Sequence, residues 1–359
     1  MTDIIVIGGG MAGLSAAARL APLGRVTVLE REEALTYHAS GRSAAVFEEN
    51  YGLPSTIALN RASRAFHQSA GVLSPRGLML VAKADEAQAF AADCDTMRLT
   101  EIDIADARAR VPVLRDDVTR AALDEDAWDI DTHRLAQQFS AEITRHGGQI
   151  VLRAEVTRIA RVRQGWEVHT VKHGLIGAKM IVNAAGAWAD EVARMARVRP
   201  VGLTPLRRSM GRIPVPEGLN AAAWPILFGP GESWYMKPDA GALIVSPADE
   251  DPQPPMDAWA DDMGLAEGFA RMEGYCDLAV TRLLASWAGL RTFAPDRNLV
   301  IGAAPDDPAF WWCAGQGGYG IQSAPAYSAL LADLVAGRSP AFSMEVIRAL
   351  SPARFSAGD

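Results

Sequence analysis

Two arginines far apart in the chain, Arg208 and Arg291, carry the side chains best suited to hold a small carboxylate. The planar guanidinium of arginine matches the two oxygens of a carboxylate with two parallel hydrogen bonds. Arg207 precedes Arg208 on a predicted strand, where successive side chains point to opposite faces, so we expect Arg207 to be a structural or surface charge. The two arginines therefore predict a site for the anionic group of a small substrate.

A glycine pattern near the N-terminus predicts a dinucleotide site. Gly8, Gly10 and Gly13 follow a β-branched run, and Glu30 ends the next apolar run, roughly 20 residues on. The first glycine permits a tight turn, the second lets the backbone approach a pyrophosphate, and the third lets the helix pack on the strand. The acidic side chain of Glu30 would accept hydrogen bonds from the ribose hydroxyls of an adenosine. This pattern alone does not separate NAD from FAD, so an NAD-dependent dehydrogenase stays open at this point.

Three further segments of small residues favour FAD over NAD. They occupy residues 41–45, 183–188 and 315–322, and the first of them contains one guanidinium. Residues with little or no side chain let a flat ring system lie close to the backbone. Their separation along the chain indicates a long, extended ligand, and an NAD enzyme would leave the first and third segments without a use.

Residue patterns also predict the elements that position these segments. Short β-branched or aromatic runs between glycine and proline turns are typical of strands, and apolar residues at helical spacing are typical of helices. We predict strands at residues 3–7, 25–29, 149–152, 156–162, 166–171, 175–179, 180–183, 234–237, 242–246, 287–293, 299–301 and 311–314, and helices at residues 14–23, 131–146, 188–196 and 265–284, with a C-terminal helix opened by residues 315–322.

The order of these elements predicts an α/β protein, α+β overall, with more than one domain, because 359 residues exceed one comfortable core. We expect a discontinuous, Rossmann-like FAD-binding domain at residues 1–75, 130–200 and 287–350. An inserted, mostly antiparallel β domain at residues 76–129 and 201–286 would bind the substrate. Residues 351–359 are expected to form a loose tail.

Composition and charge exclude several classes of protein. The formal net charge is −8 and no basic stripe is present, so we expect no nucleic-acid partner. No transmembrane segment or signal peptide is recognisable, so we expect a cytoplasmic protein. The three cysteines, Cys94, Cys276 and Cys313, are widely spaced, which predicts reduced thiols and no metal site.

With these motifs the chain resembles the D-amino-acid oxidase (DAO) superfamily of FAD enzymes, which includes the glycine and sarcosine oxidases. Within that superfamily its motifs are closest to those of the bacterial FAD-dependent D-arginine dehydrogenases. The likeness covers nearly the whole chain, through residues 37–45, 183–188, 207–209, 235–241, 287–293 and 316–322. Several long motifs in the same order are far more specific than the glycine pattern alone.

The resemblance implies a noncovalent FAD. A covalent flavin link of the sarcosine-oxidase kind would need a cysteine near residues 289–291, and the sequence has none there. The resemblance places Glu30 on the adenosine ribose, Val156 by the adenine, and residues 317–322 against the flavin ring. The residues expected to form the cofactor site are Gly8, Gly10, Gly13, Glu30, Arg31, Gly41, Arg42, Ser43, Ala44, Val156, Ala184, Gly186, Trp188, Gly317, Gly318, Gly320, Ile321 and Gln322.

The resemblance also implies a reaction. Arg208 and Arg291, with the hydroxyls of Tyr235 and Tyr51, would hold the substrate carboxylate, and a backbone carbonyl near Gly318 would hold the amine. A hydride would pass from the carbon bearing the amine to the flavin, giving an imino acid that water converts to a 2-oxo acid and ammonia. We therefore predict an FAD-dependent amino-acid dehydrogenase or oxidase with a small amino-acid substrate and an unidentified electron acceptor.

Departures from the D-arginine enzymes indicate a different substrate. Leu78 stands where those enzymes carry the glutamate that pairs with the basic end of D-arginine, and Val46 replaces a histidine. Glu48 replaces a threonine, and we expect it to be a solvated loop residue. Because an apolar pocket does not compensate a guanidinium removed from water, we predict a D-amino acid with a neutral side chain.

The sequence gives a weaker indication of which molecule accepts the electrons from the flavin. Oxidases of the sarcosine type place an oxygen-activating lysine on the strand after the active-site tyrosine, and the corresponding residues here are Leu243, Ile244 and Val245. This favours a dehydrogenase. Two alternatives stay open: an oxidase that uses O2 on glycine-like, sarcosine-like or cyclic amino acids, and a non-catalytic FAD-binding subunit of a larger complex.

Overall fold

The computed structural model describes residues 2–355. Its α-helices are α1 (Met11–Leu20), α2 (Pro54–Ala70), α3 (Ala87–Met97), α4 (Ile104–Arg110), α5 (Thr132–Arg145), α6 (Ala189–Met195), α7 (Asp262–Glu273), α8 (Ala324–Val335) and α9 (Met344–Leu350). Its strands are β1 (Ile4–Ile7), β2 (Val26–Leu29), β3 (Val46–Phe47), β4 (Leu73–Pro75), β5 (Leu78–Lys83), β6 (Thr100–Ile102), β7 (Val118–Asp124), β8 (Trp128–Ile130), β9 (Gln149–Val151), β10 (Val156–Val162), β11 (Gly165–Thr170), β12 (Gly174–Ala178), β13 (Met180–Asn183), β14 (Thr204–Pro214), β15 (Ile226–Phe228), β16 (Tyr235–Asp239), β17 (Ala242–Ser246), β18 (Asp251–Pro252), β19 (Ala285–Phe293), β20 (Val300–Ala303) and β21 (Phe310–Ala314).

A mainly parallel sheet forms the centre of the nucleotide-binding half. Its strand order is β20-β21-β13-β1-β2-β9, and only the edge strand β20 runs antiparallel to its neighbour. All four residues of β1 and all four of β2 are buried, as a parallel sheet covered on both faces requires. The predicted βαβ unit, with its two neighbouring parallel strands, is confirmed.

Helix α1 begins inside the glycine motif, three residues earlier than predicted. It runs from Met11 to Leu20, and a short 3-10 turn carries the chain on to Leu23. Gly13 allows this early start, because a Cβ on Gly13 would collide with the carbonyl oxygen of Gly8. The helix therefore packs tightly against the turn that follows β1.

A nine-stranded sheet forms the second half, and it is antiparallel apart from the pair β5–β15. Its longest antiparallel pair joins β14 to β19, with Arg208 opposite Gly289 and Leu206 opposite Arg291. The sequence predicts that residues 287–293 belong to the nucleotide-binding domain, whereas in the structure β19 pairs with β14 in this sheet. The 3-10 turn Ala39–Arg42 also packs on β19, so the two halves meet at this strand.

Two small sheets complete the fold. Strands β10, β11 and β12 form the predicted antiparallel meander, and strands β3, β8 and β4 form a short ribbon between the two large sheets. In the ribbon, Val46 lies opposite Asp129. This pairing fixes the start of the segment that leads to Glu48 and Tyr51.

Two sequence-based expectations were wrong. The helix predicted at residues 265–284 ends at Glu273, because Gly274 caps it and the chain then forms an isolated bridge between Cys276 and Leu114. The tail expected to be loose instead forms a 3-10 helix at Pro352–Phe355, in which Arg354 pairs with Asp296 at 2.7 Å. Residues 356–359 of that predicted tail lie outside the described residues.

The three cysteines are free thiols, as predicted, and Cys276 and Cys313 are buried. Between residues 2 and 355, no helix is both long enough and apolar enough to cross a membrane.

Candidate active site

A groove of about 260 Å³ lies along the carboxyl ends of the parallel strands, where Ile7 ends β1 and Leu29 ends β2. Ligands of open parallel sheets bind at this edge. We call it the nucleotide groove. The predicted cofactor residues that line it are Gly8, Gly10, Glu30, Arg31, Arg42, Ser43, Val156, Ala184, Gly186, Trp188, Gly317, Gly318, Gly320 and Ile321.

Four of the predicted cofactor residues do not line this groove. Ala44 and Gln322 line a second cavity described below. Gly13 and Gly41 line neither cavity, and each is needed because its position is crowded by backbone: the carbonyl of Gly8 beside Gly13, and the carbonyl of Thr36 beside Gly41. These two glycines shape the walls of the groove instead of facing it.

The turn at the start of α1 fits a pyrophosphate. The nearest atom that a Cβ on Gly10 would meet is Ser40 Oγ at 3.3 Å, so Gly10 presents bare backbone to the groove. Gly10 is also the N-cap of α1 and makes no side-chain cap, which leaves the positive end of the helix facing the groove. A diphosphate is the ligand that such a helix terminus binds best.

Glu30 is held in place at the far end of this turn. Its Oε2 accepts a hydrogen bond from the amide of Gly9 at 2.6 Å, and its Oε1 accepts one from the amide of Glu32 at 2.8 Å. The residue is only 7% exposed. Because each carboxylate oxygen has further acceptor capacity, a fixed Glu30 can still accept from ribose hydroxyls.

Aromatic and aliphatic side chains form the outer end of the groove. The guanidinium carbon of Arg31 lies 4.8 Å from the ring centre of Trp188, and the ring of His38 lies 4.8 Å from that of Trp188. Val156 lines the groove beside them. These flat and apolar surfaces suit an adenine ring.

Arg42 anchors the segment that joins the two halves of the protein. Its guanidinium donates to the carbonyls of Ala258 at 2.8 Å and Ala288 at 3.0 Å, and it pairs with Asp257 at 2.6 Å. Its Nε also donates to the carbonyl of Tyr37. The sequence predicts that Arg42 binds the cofactor directly. In the structure its hydrogen bonds fix the loop against β19.

A smaller cavity of about 110 Å³ adjoins the nucleotide groove. We call it the inner cavity. Residues that line both spaces, and so mark their junction, are Ser43, Arg208, Arg291, Gly318 and Ile321. The inner cavity also contains the remaining predicted site residues, namely Tyr51, Tyr235, Val46, Glu48 and Leu78. The fold therefore brings all the predicted substrate-site side chains to one place.

Of the two arginines at the junction, Arg208 is buried and Arg291 is half-buried, and their partners differ. Arg208 donates through Nε to the carbonyl of Asp249 at 3.0 Å and through Nη2 to Glu250 at 3.2 Å. Its Nη1 is buried and has no hydrogen-bond partner among the described residues. Burial opposes the charge of Arg291, but its neighbours Tyr51, Tyr235 and Glu232 outweigh that effect and raise its already high pKa.

Arg207 points away from this site, as predicted. Its side chain pairs with Asp249 at 3.3 Å, Asp251 at 2.7 Å and Asp261 at 3.5 Å, and it lines neither cavity. Asp249 also accepts from the amide and hydroxyl of Ser209, so this acidic cluster fixes the backbone on which Arg208 stands.

The hydroxyls of the two tyrosines in the inner cavity differ in their hydrogen bonds. The hydroxyl of Tyr235 is buried and finds no hydrogen-bond partner within residues 2–355. The hydroxyl of Tyr51 donates to Glu232 Oε2 at 2.9 Å, and burial together with the charge of Glu232 raises the pKa of Tyr51 far above its ordinary value. Tyr235 is therefore free to bind a ligand, whereas Tyr51 already has a partner.

Two charged residues of the inner cavity were missed from the sequence. Glu232 stands on the tight turn between β15 and β16, with φ of 51° after Gly231 with φ of 65°. Lys237 on β16 reaches across to Asp129 at 2.7 Å and donates to the carbonyl of Ala44. The stretch Leu243–Val245 is apolar and buried as predicted, but Lys237 lies on the neighbouring strand. Its place two residues after Tyr235, on the same face of a strand, was the available signal.

The expectation for Glu48 was wrong. Glu48 is 3% exposed and lines the inner cavity, so it is not a solvated loop residue. The cause is the β3–β8 pairing, which directs the chain inward after Phe47, and Gln322, whose Oε1 accepts from the amide of Glu48 at 2.8 Å. The remaining walls are apolar, and they include Leu78, Met97, Ile226 and Phe228.

A parallel sheet whose first strand leads through a bare glycine turn into a helix is typical of a dinucleotide-binding protein. The chain belongs to the FAD dependent oxidoreductase (DAO) family, which it matches over residues 3–334. The superfamily resemblance seen in the sequence is thereby confirmed, and so is FAD as the cofactor. The residues of the nucleotide groove fit that group, because Gly10 and the end of α1 offer room and positive potential for its diphosphate.

Comparison with known proteins supports the same assignment. The chain is 27% identical to a glycine oxidase of Pseudomonas aeruginosa over 358 residues, covering 94% of this chain and 95% of the relative. It is 26% identical to the sarcosine oxidase subunit beta of Rhizobium meliloti, covering 94% and 85%. The structure resembles that of L-proline dehydrogenase from P. horikoshii with a TM-score of 0.85, 21% identity and coverage of 100% and 98%. The protein is thus an FAD-dependent amino-acid or amine oxidoreductase.

Proposed function

We propose that the chain is a dehydrogenase that oxidises the C–N bond of a small D-amino acid with a neutral side chain. One observation carries the proposal: an unpartnered guanidinium nitrogen of Arg208 and an unpartnered hydroxyl of Tyr235 line one cavity with Arg291, within the described chain. Buried donors without partners are costly, so a site of this kind is built for a ligand that satisfies them. An amino-acid carboxylate is such a ligand.

The residues of the chain would position the substrate. Arg208 and Arg291 bind the carboxylate at the junction of the two spaces, and Tyr235 donates to the same group. The backbone carbonyl of Gly318 accepts from the amine, which reacts in its neutral form. Bound FAD supplies the hydride acceptor. The apolar walls exclude water from the reacting carbon, and the imino product is hydrolysed to a 2-oxo acid and ammonia after release.

The choice of a neutral side chain rests on the walls of the inner cavity. Leu78 and Val46 offer no partner to a guanidinium or an ammonium, and Met97 and Phe228 extend the apolar surface. Burying a cation against such walls costs several kcal/mol by the usual estimate. The D configuration is proposed from the resemblance of the motifs to the D-arginine dehydrogenases.

The proposal of a dehydrogenase rests on how Lys237, the lysine that lines the inner cavity, is paired. Leu243–Val245 are apolar, and the charge of Lys237 is neutralised by Asp129 at 2.7 Å. A lysine whose charge is already paired provides little stabilisation to reduced oxygen. A second candidate, an oxidase of glycine, sarcosine or a cyclic amino acid, is favoured by the identity to a glycine oxidase.

A non-catalytic role as an FAD-binding subunit is the alternative of another class. The similarity to a sarcosine oxidase subunit supports it. The unpartnered Nη1 of Arg208 argues against it, because a buried donor is costly unless a ligand accepts its hydrogen bond. Turnover by the isolated chain distinguishes the two.

The test is an anaerobic titration of the purified yellow protein with D- and L-amino acids, glycine, sarcosine and proline, monitored by flavin bleaching. We expect D-amino acids with neutral side chains to bleach the flavin fastest. Reoxidation by a dye should far exceed reoxidation by air, and equal rates would favour the oxidase. If no amino acid bleaches the flavin, the proposed function is wrong.

A further inference from the structure

We propose that Glu250 is a positioning residue for the reaction: it holds the guanidinium of Arg208 so that the free end of that group meets the substrate carboxylate. Arg297 holds Glu250 in turn and balances its charge. The inference rests on the proposed function and deepens it, because it explains how a buried arginine is kept ready for an anionic ligand. Neither Glu250 nor Arg297 lines the nucleotide groove or the inner cavity, so both act through Arg208.

The hydrogen bonds of Arg208 use one edge of its guanidinium. Nε donates to the carbonyl of Asp249 at 3.0 Å, and Nη2 donates to Oε1 of Glu250 at 3.2 Å. Nε and Nη2 share one edge of this planar group, whose five N–H donors have a fixed arrangement. The end formed by Nη1 and the second N–H of Nη2 points away from that edge.

The free end of Arg208 matches a carboxylate. Nη1 is buried and has no hydrogen-bond partner among residues 2–355, and Arg208 lines both the nucleotide groove and the inner cavity. Two parallel N–H bonds from the end of a guanidinium fit the two oxygens of a carboxylate. That contact needs the guanidinium plane to be fixed before the ligand arrives, and the edge held by Asp249 and Glu250 fixes it.

Glu250 lies on the short loop between β17 and β18, which is fastened to the strand that carries Arg208. Ala248 on this loop has left-handed backbone with φ of 56°, and its amide donates to the hydroxyl of Ser246 at 3.1 Å. The same hydroxyl donates to the carbonyl of Ser209 at 2.7 Å. The backbone beside Glu250 is thus tied to the residue next to Arg208, so the carboxylate comes from a fixed support.

Arg297 fixes the side chain of Glu250. Its Nη2 donates to both carboxylate oxygens of Glu250, at 2.9 Å and 3.0 Å. Its guanidinium carbon lies 3.8 Å from the ring centre of Phe293, the last residue of β19. Because Glu250 is shared between two arginines, its charge does not neutralise Arg208. Arg208 therefore keeps a positive potential for an anionic ligand.

The exposure of these side chains separates positioning from a role in stability. The side chains of Glu250 and Arg297 are 34% and 44% exposed, whereas that of Arg208 is 4% exposed. Exposed ion pairs contribute little to the free energy of unfolding, and water can reach the place of a truncated Glu250. Loss of Glu250 should therefore change ligand binding more than thermal stability.

The experiment measures the binding of propionate to the FAD-loaded enzyme through the change in the flavin spectrum. Glu250→Gln and Glu250→Ala both remove the negative charge, but only glutamine keeps an oxygen for Arg208. We expect propionate to bind about tenfold more weakly to Glu250→Ala than to Glu250→Gln, as for the loss of one charge-assisted hydrogen bond. Asp333→Ala, which breaks a partly exposed pair with Arg338, is the matched control and should bind propionate as wild type does.

Steady-state kinetics with D-alanine give a second measurement, which decides where propionate produces no spectral change. KM should be about tenfold higher in Glu250→Ala than in Glu250→Gln, with a much smaller difference in kcat, because the bound substrate reacts with the same partners. A merely structural role would lower flavin content and melting temperature together with kcat.

Arg297→Gln keeps the inference falsifiable if Glu250→Ala does not fold. It leaves Glu250 paired with Arg208 alone, so propionate should bind about threefold more weakly than to wild type. Equal affinity and equal KM in Glu250→Ala and Glu250→Gln overturn the inference, and so does wild-type behaviour of Arg297→Gln. In those cases the proposed function stands, because amino acids still reduce the flavin. A wild type that neither binds propionate nor is reduced by any amino acid contradicts both proposals.

Discussion

The hydroxyl of Tyr51 donates to Oε2 of Glu232 at 2.9 Å, next to the guanidinium of Arg291. Glu232 reaches this place from a turn on which both it and Gly231 have left-handed backbone. A carboxylate near Arg291 competes electrostatically with the carboxylate of a substrate. We therefore expect Glu232 to lower the affinity for a substrate that carries a carboxylate.

Glu232→Gln should lower KM about threefold to tenfold, on the order of 1 kcal/mol for a charge near a binding site, with a smaller change in kcat. Glutamine retains an acceptor for Tyr51 while it removes the negative charge beside Arg291. Tyr51→Phe is the contrasting variant, because it keeps the charge and frees it from its partner, so KM should rise. Steady-state kinetics with D-alanine measure both. A higher KM in Glu232→Gln would contradict this interpretation.

Arg291→Lys should reduce kcat/KM far more than it reduces flavin content. Lysine keeps a positive charge but loses the two-pronged guanidinium, so about 1.5–3 kcal/mol of binding to the carboxylate is lost, roughly a 10- to 150-fold effect. The absorbance ratio of flavin to protein is the control. Near-normal efficiency would show that Arg291 does not bind the substrate.

Lys237→Met should destabilise the protein and weaken FAD retention together. Removing Lys237 leaves Asp129 paired only with Arg76 at 2.7 Å and frees the carbonyl of Ala44 in the segment that lines both cavities. We expect a loss of about 1–3 kcal/mol of unfolding free energy, as for a buried polar group deprived of a partner. Thermal melts of the apoprotein and FAD titrations measure the two effects. Lys83→Met is the matched control. The Lys83 side chain pairs with Asp117 and is 30% exposed, so its removal should change stability and FAD retention little.

Leu78→Glu should raise activity on D-arginine relative to D-leucine. Leu78 is 7% exposed and lines the inner cavity, so a carboxylate there would meet a cationic side chain. Such a charge-assisted contact is worth roughly 2–3 kcal/mol, or about 30- to 150-fold, and the neighbouring Asp124, opposite Leu78 in the sheet, will reduce the effect by repulsion. The ratio of the two kcat/KM values is the measurement. An unmoved ratio would mean that Leu78 does not contact the substrate side chain.

Acid precipitation should release the flavin into the supernatant. The described structure places no cysteine within the walls of either cavity, and residues 289–291 contain none. Yellow colour retained by the washed, denatured pellet would contradict noncovalent binding.

The sequence by itself determined the parts of this protein that depend on local patterns. The turn from Gly8 to Gly13, the strands beside it and Glu30 lie within one βαβ unit, where spacing along the chain fixes position in space. That Arg208 and Arg291 bind the substrate could be predicted from their chemistry and from the family motifs. Their meeting at one junction still required the antiparallel pairing of β14 with β19.

Only the tertiary structure decided the polarity of the inner cavity. Glu48, Glu232 and Lys237 are charged residues that sequence patterns assign to the surface, since isolated charges are rarely buried. Each is brought to the inner cavity by a contact distant in sequence: Glu48 by Gln322, Glu232 by Tyr51, and Lys237 by Asp129. Burial then changes the chemistry of Glu48, because its removal from water beside the carboxyl of Asp124 raises its pKa to about 9. That effect depends on neighbours in space, which no spacing along the chain reveals.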